Sequence, residues 1–176
     1  IWQTYPGKKN SPIPIDIQTN IEKLKYINPE WEYTLLRDDD VENFIIENYN
    51  ENILKIYLSI NPNYGPARAD LLRYLLLYKY GGVYLDIKSG SYFKLDQTIL
   101  DCDYVLMYWG NSHPNKKIIG NPRGEFLQWL IISCPKHPFL KKVINKVIIN
   151  ILNYYNRPHL LTGKPGVIAL TGPIVY

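Results

Sequence analysis

One apolar stretch in the middle of the chain, ending in two glycines, constrains the fold more than any other feature. Pro66 is typical of the first turn of a helix and Gly81-Gly82 of its end, and the leucines between them point to all sides of that helix. A helix that is apolar on all sides is a buried one. The segment from Val83 to Leu85 then predicts a short buried strand, which ends at Asp86. A buried helix that leads into a buried strand predicts an α/β domain.

Short strand patterns alternate with helical patterns over the rest of the chain, which also favours an α/β fold. The predicted strands cover Ile1 to Tyr5, Trp31 to Leu36 and Tyr104 to Trp109. Further helices are predicted from Asp16, as the N-cap, to Ile27, from Asp38, as the cap, to Tyr49, from Ile53 to Leu58, and from Pro138 to Tyr154. The glycines and prolines between Thr162 and Tyr176 predict a loop-rich segment.

Length and composition fit one globular domain over residues 1–176. The apolar fraction of 46% and the charged fraction of 20% exclude a disordered chain. The net charge of +4 comes from scattered lysines, whereas a nucleic-acid-binding protein more often clusters them, so we expect no nucleic-acid partner. Cys102 and Cys134 lack the CxxC spacing of a zinc site, and a single bridge between them is left open.

Both ends of the sequence lie inside predicted elements, and we expect the domain to be truncated at each of them. No run within the chain approaches the roughly 20 apolar residues of a membrane span. An anchor or targeting segment outside these residues is left open. The compartment is left open too: cytoplasm, a membrane surface or, in a eukaryote, a Golgi-like lumen. The abundance of Ile, Asn, Lys and Tyr is typical of an AT-rich genome, such as that of a bacterium or a virus.

The predicted buried helix carries Arg68, Asp70 and Arg73, although buried charges are costly unless they are paired. Asp70 and Arg73 are three residues apart and share a helix face, so one interpretation is an ion pair that satisfies itself. The following strand, however, delivers Asp86 at its carboxyl end, where open α/β sheets bind ligands. We therefore expect Asp70, Arg73 and Asp86 to converge on one ligand cavity.

The end of the predicted strand offers a carboxylate and an ammonium close together. Asp86 and Lys88 are two residues apart, so an extended segment turns both side chains to the same side. The carboxylate suits a ribose hydroxyl or a hydrated divalent cation, and the ammonium suits a diphosphate. A surface ion pair is the alternative interpretation. Asp38 to Asp40 fits a helix start better than a metal site, because acids stabilise helix N-termini.

Two segments resemble the glycosyltransferase family whose sugar-binding region contains a DXD motif, family 32 of the glycosyltransferases: Ala67 to Tyr74, and Tyr80 to Asp86. That family includes yeast outer-chain mannosyltransferases and bacterial capsular sugar transferases, and the glucosylating clostridial toxins share a related pattern. Further segments resemble the family's other landmarks, in the same order along the chain: Ile1 to Tyr5, Asn28 to Tyr33, His137 to Leu140, and Thr171 to Pro173.

The resemblance implies a GT-A fold, a Rossmann-like nucleotide-diphospho-sugar transferase fold in which helices flank a mixed central sheet. It implies an enzyme that transfers a sugar, with retention, from a UDP- or GDP-linked donor to a hydroxyl of a glycan or another acceptor. The matched motifs make Asp70, Arg73 and Asp86 the candidate catalytic residues, the first two at the sugar hydroxyls and Asp86 at ribose or a metal ion. The other implied substrate contacts are Trp2 and Gln3 near the base, Arg68 and Tyr74 on the helix, and Thr171 and Gly172 beside the sugar and the acceptor. Lys88 is a candidate contact of the diphosphate because of its own charge, not because of the resemblance.

One position departs from the family pattern, because Lys88 stands where the second aspartate of the DXD motif is expected. A protonated lysine has no lone pair to offer to Mn²⁺ or Mg²⁺. Three interpretations stay open. Lys88 replaces the metal electrostatically; or Asp86, phosphate and a residue beyond Tyr176 hold the metal; or the domain is a catalytically silent module that binds a nucleotide sugar or a glycan.

Three other features are weaker candidates. Glu125 and Gln128, beside Trp129, are candidates for reaching the site. The polar segment from Asn111 to Gly120 is either an acceptor contact or a surface loop. The histidines are isolated along the sequence, and His137, just before a proline, is expected to be a structural residue at a helix start.

Overall fold

The computed structural model describes residues 1–97, 99, 103–109, 125–156 and 162–176. Its strands are β1 (Trp2–Thr4), β2 (Thr34–Leu36), β3 (Gly82–Leu85), β4 (Tyr104–Val105), β5 (Tyr108–Trp109), β6 (Glu125–Phe126) and β7 (Leu130–Ser133). Its α-helices are α1 (Ile15–Ile27), α2 (Asp38–Asn48), α3 (Glu51–Ser59), α4 (Gly65–Tyr80), α5 (Pro138–Leu152) and α6 (Gly163–Leu170). Short 3₁₀ helices cover Leu95–Gln97 and Tyr154–Asn156. The segment from Asn111 to Gly120, together with Cys102 and His159, lies outside the described residues.

The central sheet is mixed, as predicted. Its strands lie in the order β2-β1-β3-β7-β4. β2, β1 and β3 run parallel, whereas β7 runs antiparallel to both β3 and β4. β5 and β6 form a separate antiparallel pair. Since parallel strands end at the same edge of a sheet, the segments that follow Thr4, Leu36 and Leu85 lie side by side.

α4 is buried, as its leucines predicted. Leu71, Leu75, Leu76 and Leu77 are each 0% exposed. The helix packs against α5, and it also contacts β3, β7 and α6. Full burial of a leucine side chain stabilises a fold by about 1.5–3 kcal/mol, so this cluster fixes α4 firmly against the sheet. Like the other described helices, α4 is not long and apolar enough to cross a bilayer.

Strand β7, which lies between β3 and β4 in the central sheet, was not predicted. β7 pairs with β3 from Leu85 opposite Leu130 to Gly82 opposite Ser133. It is only four residues long and its partners are distant in the sequence, so no local pattern indicated it. The single strand predicted from Tyr104 to Trp109 is also wrong: β4 joins the central sheet, whereas β5 pairs with β6.

Two helix starts differ from the predicted caps. α1 starts after Pro14, and Asp16 lies in its first turn rather than at the N-cap. α2 starts at Asp38 and has Arg37 as its N-cap residue. The Asp38 carboxylate instead accepts a hydrogen bond of 2.7 Å from the backbone N–H of Gly7. His137 is the N-cap of α5, as expected, and its Nδ1 accepts a hydrogen bond from the N–H of Phe139.

The segment predicted to be loop-rich contains helix α6. Gly163 opens this helix with φ +63°, a conformation that glycine adopts without strain. Ile168 is 5% exposed, and Val167 and Leu170 pack against the main hydrophobic core. Apolar packing therefore outweighs the glycine and proline content on which the loop prediction was based.

The turn between α4 and β3 depends on Gly81, which has φ +67°. A Cβ atom at this position would lie 2.7 Å from Cδ of Pro135 and 2.8 Å from the carbonyl oxygen of Ser133. We expect Gly81→Ala to lower the free energy of unfolding by at least about 2 kcal/mol, through backbone strain and overpacking. Gly65→Ala is the matched control, because a Cβ atom at position 65 would meet nothing within 4 Å. Urea denaturation of both variants measures the difference; equal midpoints would contradict the close approach at Gly81.

Candidate active site

A cleft of about 480 Å³ opens at the carboxyl ends of the three parallel strands. α4 forms one wall, and the segments after β1, β2 and β3 form the opposite side. This is the edge at which open α/β sheets bind ligands, and it is where the sequence predicted a cavity. Its lining includes Thr4, Tyr5, Leu36, Asp38, Arg68, Arg73, Tyr84, Asp86 and Lys88.

Arg73 joins the two carboxylates that the sequence predicted to converge. Its Nη2 lies 2.9 Å from Oδ1 of Asp70 and 3.1 Å from Oδ1 of Asp86. Nη1 donates a hydrogen bond of 2.5 Å to the carbonyl oxygen of Gln128, and the guanidinium carbon lies 4.8 Å from the ring centre of Tyr84. The ion pair within the helix and the convergence with Asp86 therefore exist together, and the side chain of Arg73 is held from several directions.

Asp70 lies beneath the cleft rather than in its wall. The side chain is 4% exposed; Oδ1 pairs with Arg73 and Oδ2 accepts a 2.7 Å hydrogen bond from the Thr171 hydroxyl. Burial raises the pKa of the Asp70 carboxyl, and the Arg73 charge and the Thr171 hydroxyl counter part of that rise. In this geometry Asp70 positions Arg73, and its predicted direct contact with a donor sugar stays a prediction.

Asp86 is the carboxylate that reaches the cleft, with a side chain that is 42% exposed. Its backbone N–H donates to the carbonyl oxygen of Trp129, and its own carbonyl oxygen accepts from the N–H of Ser89 at 2.7 Å. The chain therefore turns after β3, and the extended segment predicted from Asp86 to Lys88 is wrong. The side chains of Asp86 and Lys88 still line the same cleft, because the turn keeps both residues near the carboxyl end of β3.

The hydroxyl of Thr171 donates the hydrogen bond to Oδ2 of Asp70, and Thr171→Val tests the contribution of this bond. We expect a loss of about 1–3 kcal/mol, because a buried carboxylate loses a donor. Burial raises the pKa of Asp70 in the folded protein above its value in the unfolded chain. Ionisation of this carboxyl therefore lowers the free energy of unfolding as the pH rises above the pKa of the unfolded state. The penalty of the variant should therefore be largest near neutral pH and shrink in acid, where the carboxyl is protonated. Urea denaturation across pH measures this, with Thr171→Ser as the control that keeps the hydroxyl; a penalty equal in both variants would contradict it.

The two residues predicted near a nucleotide base lie elsewhere. The Trp2 indole donates to the carbonyl oxygen of Gly81 at 2.9 Å and stacks on the Tyr80 ring at 5.4 Å, outside the cleft. Gln3 is fully buried; its amide donates to the carbonyl oxygen of Asp86 at 3.1 Å and accepts from the Tyr33 hydroxyl. Gln3 thus supports the turn that carries Asp86. Contact of either residue with a base stays a prediction.

The other predicted contacts fall into two groups. Arg68 lines the cleft, and its guanidinium also donates to the carbonyl oxygens of Leu58 and Ile60 at the end of α3. Tyr74 is 0% exposed and donates to Gln128 Oε1 at 2.7 Å. Thr171 is likewise buried, beneath the cleft rather than in its wall.

Sequence reasoning gave Gln128 little weight, yet this residue touches two members of the site. Its carbonyl oxygen accepts from Arg73 and its side-chain oxygen from Tyr74. The signal available in the sequence was its place beside Trp129, whose carbonyl oxygen accepts from the N–H of Asp86. Gly172 packs tightly as well, since a Cβ there would lie 2.9 Å from Cα of Ile168.

The described residues do not fit a divalent metal ion at this cleft. No three side chains of the His, Cys, Asp or Glu type come together among them in a way that could hold one. The predicted ligand, Asp86, already has Oδ1 at 3.1 Å from a guanidinium nitrogen. The neighbouring Lys88 adds a positive charge where a metal site needs an oxygen ligand.

Comparison with known proteins identifies the family to which the chain is similar. Residues 14–105 match the family described as "Glycosyltransferase sugar-binding region containing DXD motif". Inositol phosphoceramide mannosyltransferase 3 of Schizosaccharomyces pombe is 31% identical over 148 residues, which are 84% of this chain and 35% of that protein. The initiation-specific alpha-1,6-mannosyltransferase of Candida albicans is 26% identical over 195 residues, covering 100% of this chain and 50% of the relative. The chain thus spans half or less of the length of these curated relatives.

Solved structures agree with the fold. The PaToxG glycosyltransferase aligns with a TM-score of 0.68 at 17% identity, covering 99% of this chain and 64% of that one. The glycosyltransferase domain of the YGT toxin aligns with a TM-score of 0.55 at 8% identity, covering 99% and 75%. The predicted GT-A fold is therefore confirmed. With more than half of its residues matched to the family, the chain belongs to the glycosyltransferases whose sugar-binding region contains the DXD motif.

Proposed function

We propose that this chain binds a nucleotide-sugar donor and that the protein transfers the sugar, with retention, to a hydroxyl of a glycan or another acceptor. The observation that carries the proposal is the buried guanidinium of Arg73, which ties Asp70 to Asp86 at the floor of the cleft. The guanidinium thereby holds the Asp86 carboxylate in place at the carboxyl edge of the sheet, where it can accept hydrogen bonds from the hydroxyl groups of a ligand.

In this proposal, different side chains bind different parts of the donor. Asp86, held through Oδ1 by Arg73, is exposed enough to accept hydrogen bonds from ribose or sugar hydroxyls. Arg68 and Lys88 line the cleft and suit the diphosphate, whose negative charge grows as the anomeric bond breaks. Holding donor and acceptor in register supplies much of the remaining rate enhancement.

A mannosyl group is the first sugar to test, because the relatives in both yeasts are named mannosyltransferases. GDP-mannose, UDP-glucose and UDP-N-acetylglucosamine form a suitable panel in a thermal-shift assay. A donor present at about 100 times its Kd should raise the free energy of unfolding by about 2.7 kcal/mol. For a domain of this size that is a rise in Tm of roughly 5–10 °C. A panel without any shift would count against the proposal.

Turnover separates an enzyme from a catalytically silent binding module, the alternative that Lys88 raises. Release of nucleoside diphosphate with an acceptor present, and an NMR assignment of the new anomeric bond, test both transfer and retention. Donor binding without turnover under these conditions would favour the silent module.

A further inference from the structure

The family's DXD motif reads Asp86-Ile87-Lys88 in this chain, and its last residue reverses the charge expected there. The family pattern implies a divalent cation at this motif, which would neutralise the charge of the donor diphosphate. The described residues around the cleft do not offer an oxygen cage for such an ion. The disagreement lies at the position where the phosphates of a bound donor would need a positive charge.

Lys88 is placed to supply that charge. The turn closed by the Ser89 N–H and the Asp86 carbonyl oxygen presents both the Asp86 carboxylate and the Lys88 ammonium to the cleft. Lys88 is exposed, and among the described residues its ammonium has neither an ion-pair partner nor a hydrogen-bond partner. A cation without an internal partner is available to an anionic ligand.

The neighbouring charges support the same assignment. The described residues that line the cleft include the basic side chains of Arg68, Arg73 and Lys88, and the acidic side chains of Asp38 and Asp86. Both carboxylates already have partners: Asp38 accepts a hydrogen bond from the Gly7 N–H, and Asp86 forms an ion pair with Arg73. Arg73 is itself paired with carboxylates, so the cations that have no carboxylate partner among the described residues of the lining are Arg68 and Lys88. These two charges attract an anion and repel a dication, which would meet two carboxylates that already have partners.

We infer that this site binds the nucleoside diphosphate of its donor without a divalent cation, and that the Lys88 ammonium stands in the place of the metal. The inference rests on the proposed function, since it assumes that the cleft receives a nucleotide sugar. Its consequence is that donor affinity is insensitive to chelators and that position 88 decides metal dependence.

The test measures the affinity of GDP and of UDP by calorimetry, once in EDTA and once with MnCl₂. The parent protein should bind one of these nucleotides with the same Kd, within about twofold, in both solutions. Lys88→Met should weaken that binding at least tenfold, roughly the loss of one charge-assisted contact. Lys94→Met is the matched control, an exposed lysine on the same connection outside the cleft, and its Kd should not change.

Lys88→Asp restores the two aspartates of the DXD motif and so tests whether residue 88 decides the metal dependence. This variant should lose nucleotide binding in EDTA and regain it with Mn²⁺, while its Tm stays close to that of the parent. Parent binding that requires Mn²⁺ would overturn the inference and leave the proposed function standing. Lys88→Met or Lys88→Asp binding as tightly as the parent in EDTA would overturn it as well. A parent protein that binds no nucleotide in either solution would instead defeat the proposed function.

Discussion

Replacing Arg73 by methionine should lower the free energy of unfolding by about 3–5 kcal/mol, the cost of leaving a buried charge without its partner. Arg73 neutralises Asp70, whose side chain is 4% exposed, and its Nη1 donates to the carbonyl oxygen of Gln128. Methionine fills part of the volume and makes none of these contacts. The variant should also lose donor binding, because Asp86 is no longer held.

Urea denaturation of the double variant Asp70→Asn with Arg73→Met identifies the cause. Removing both charges should recover a large part of the lost stability, because a buried pair as a whole is often no better than neutral groups of similar size. Arg73→Lys should lose an intermediate amount of stability. A lysine ammonium keeps the positive charge, but it lacks the planar fork with which the guanidinium contacts both carboxylates and the Gln128 carbonyl oxygen. A loss below about 1 kcal/mol in Arg73→Met would contradict the structural role of the guanidinium.

Asp86→Asn should separate ligand binding from folding. Its side chain is 42% exposed, so the ion pair with Arg73 is screened by water, and we expect the free energy of unfolding to change by less than about 1 kcal/mol. Donor affinity should fall by about 10- to 100-fold, because a hydrogen bond to a charged group contributes about 1.5–3 kcal/mol. Calorimetry with the donor found in the thermal-shift panel measures this loss.

The matched control is Asp96→Asn, an aspartate on the connection that follows β3. It accepts a hydrogen bond from the Trp31 indole and does not line the cleft. Donor affinity should stay within about twofold of the parent in this variant. If Asp86→Asn binds as tightly as Asp96→Asn, the donor does not use the Asp86 carboxylate.

Much of the site could be predicted because the information is local. The leucines of α4 and the two glycines after it predicted a buried helix followed by a buried strand, and the spacing from Asp70 to Arg73 fixed which charges share a face. The position of Asp86 at a strand end then predicted the cleft, since that edge of an α/β sheet collects ligands. The family resemblance and the GT-A fold are confirmed on the same residues.

What could not be predicted depends on contacts between distant segments. β7 is four residues long, and its place between β3 and β4 follows from pairing with strands that lie well before it in the sequence. The depth of Asp70 is a similar case. The sequence predicted that Asp70 faces a ligand cavity, whereas its side chain is 4% exposed, so Asp70→Ala should cause a marked loss of stability alongside any loss of binding.

The hydrogen bond from Thr171 to Asp70 joins positions 101 residues apart. A ribosome therefore releases α4 and most of the sheet well before the hydroxyl that satisfies the second oxygen of Asp70. Until α6 and Thr171 emerge, the carboxyl group of Asp70 lacks one hydrogen-bond donor, and a product cleaved before α6 would lack it permanently. Cleavage before Gly163 would therefore leave every cleft-lining side chain in the polypeptide and still remove the hydroxyl that supports Asp70 from beneath the cleft.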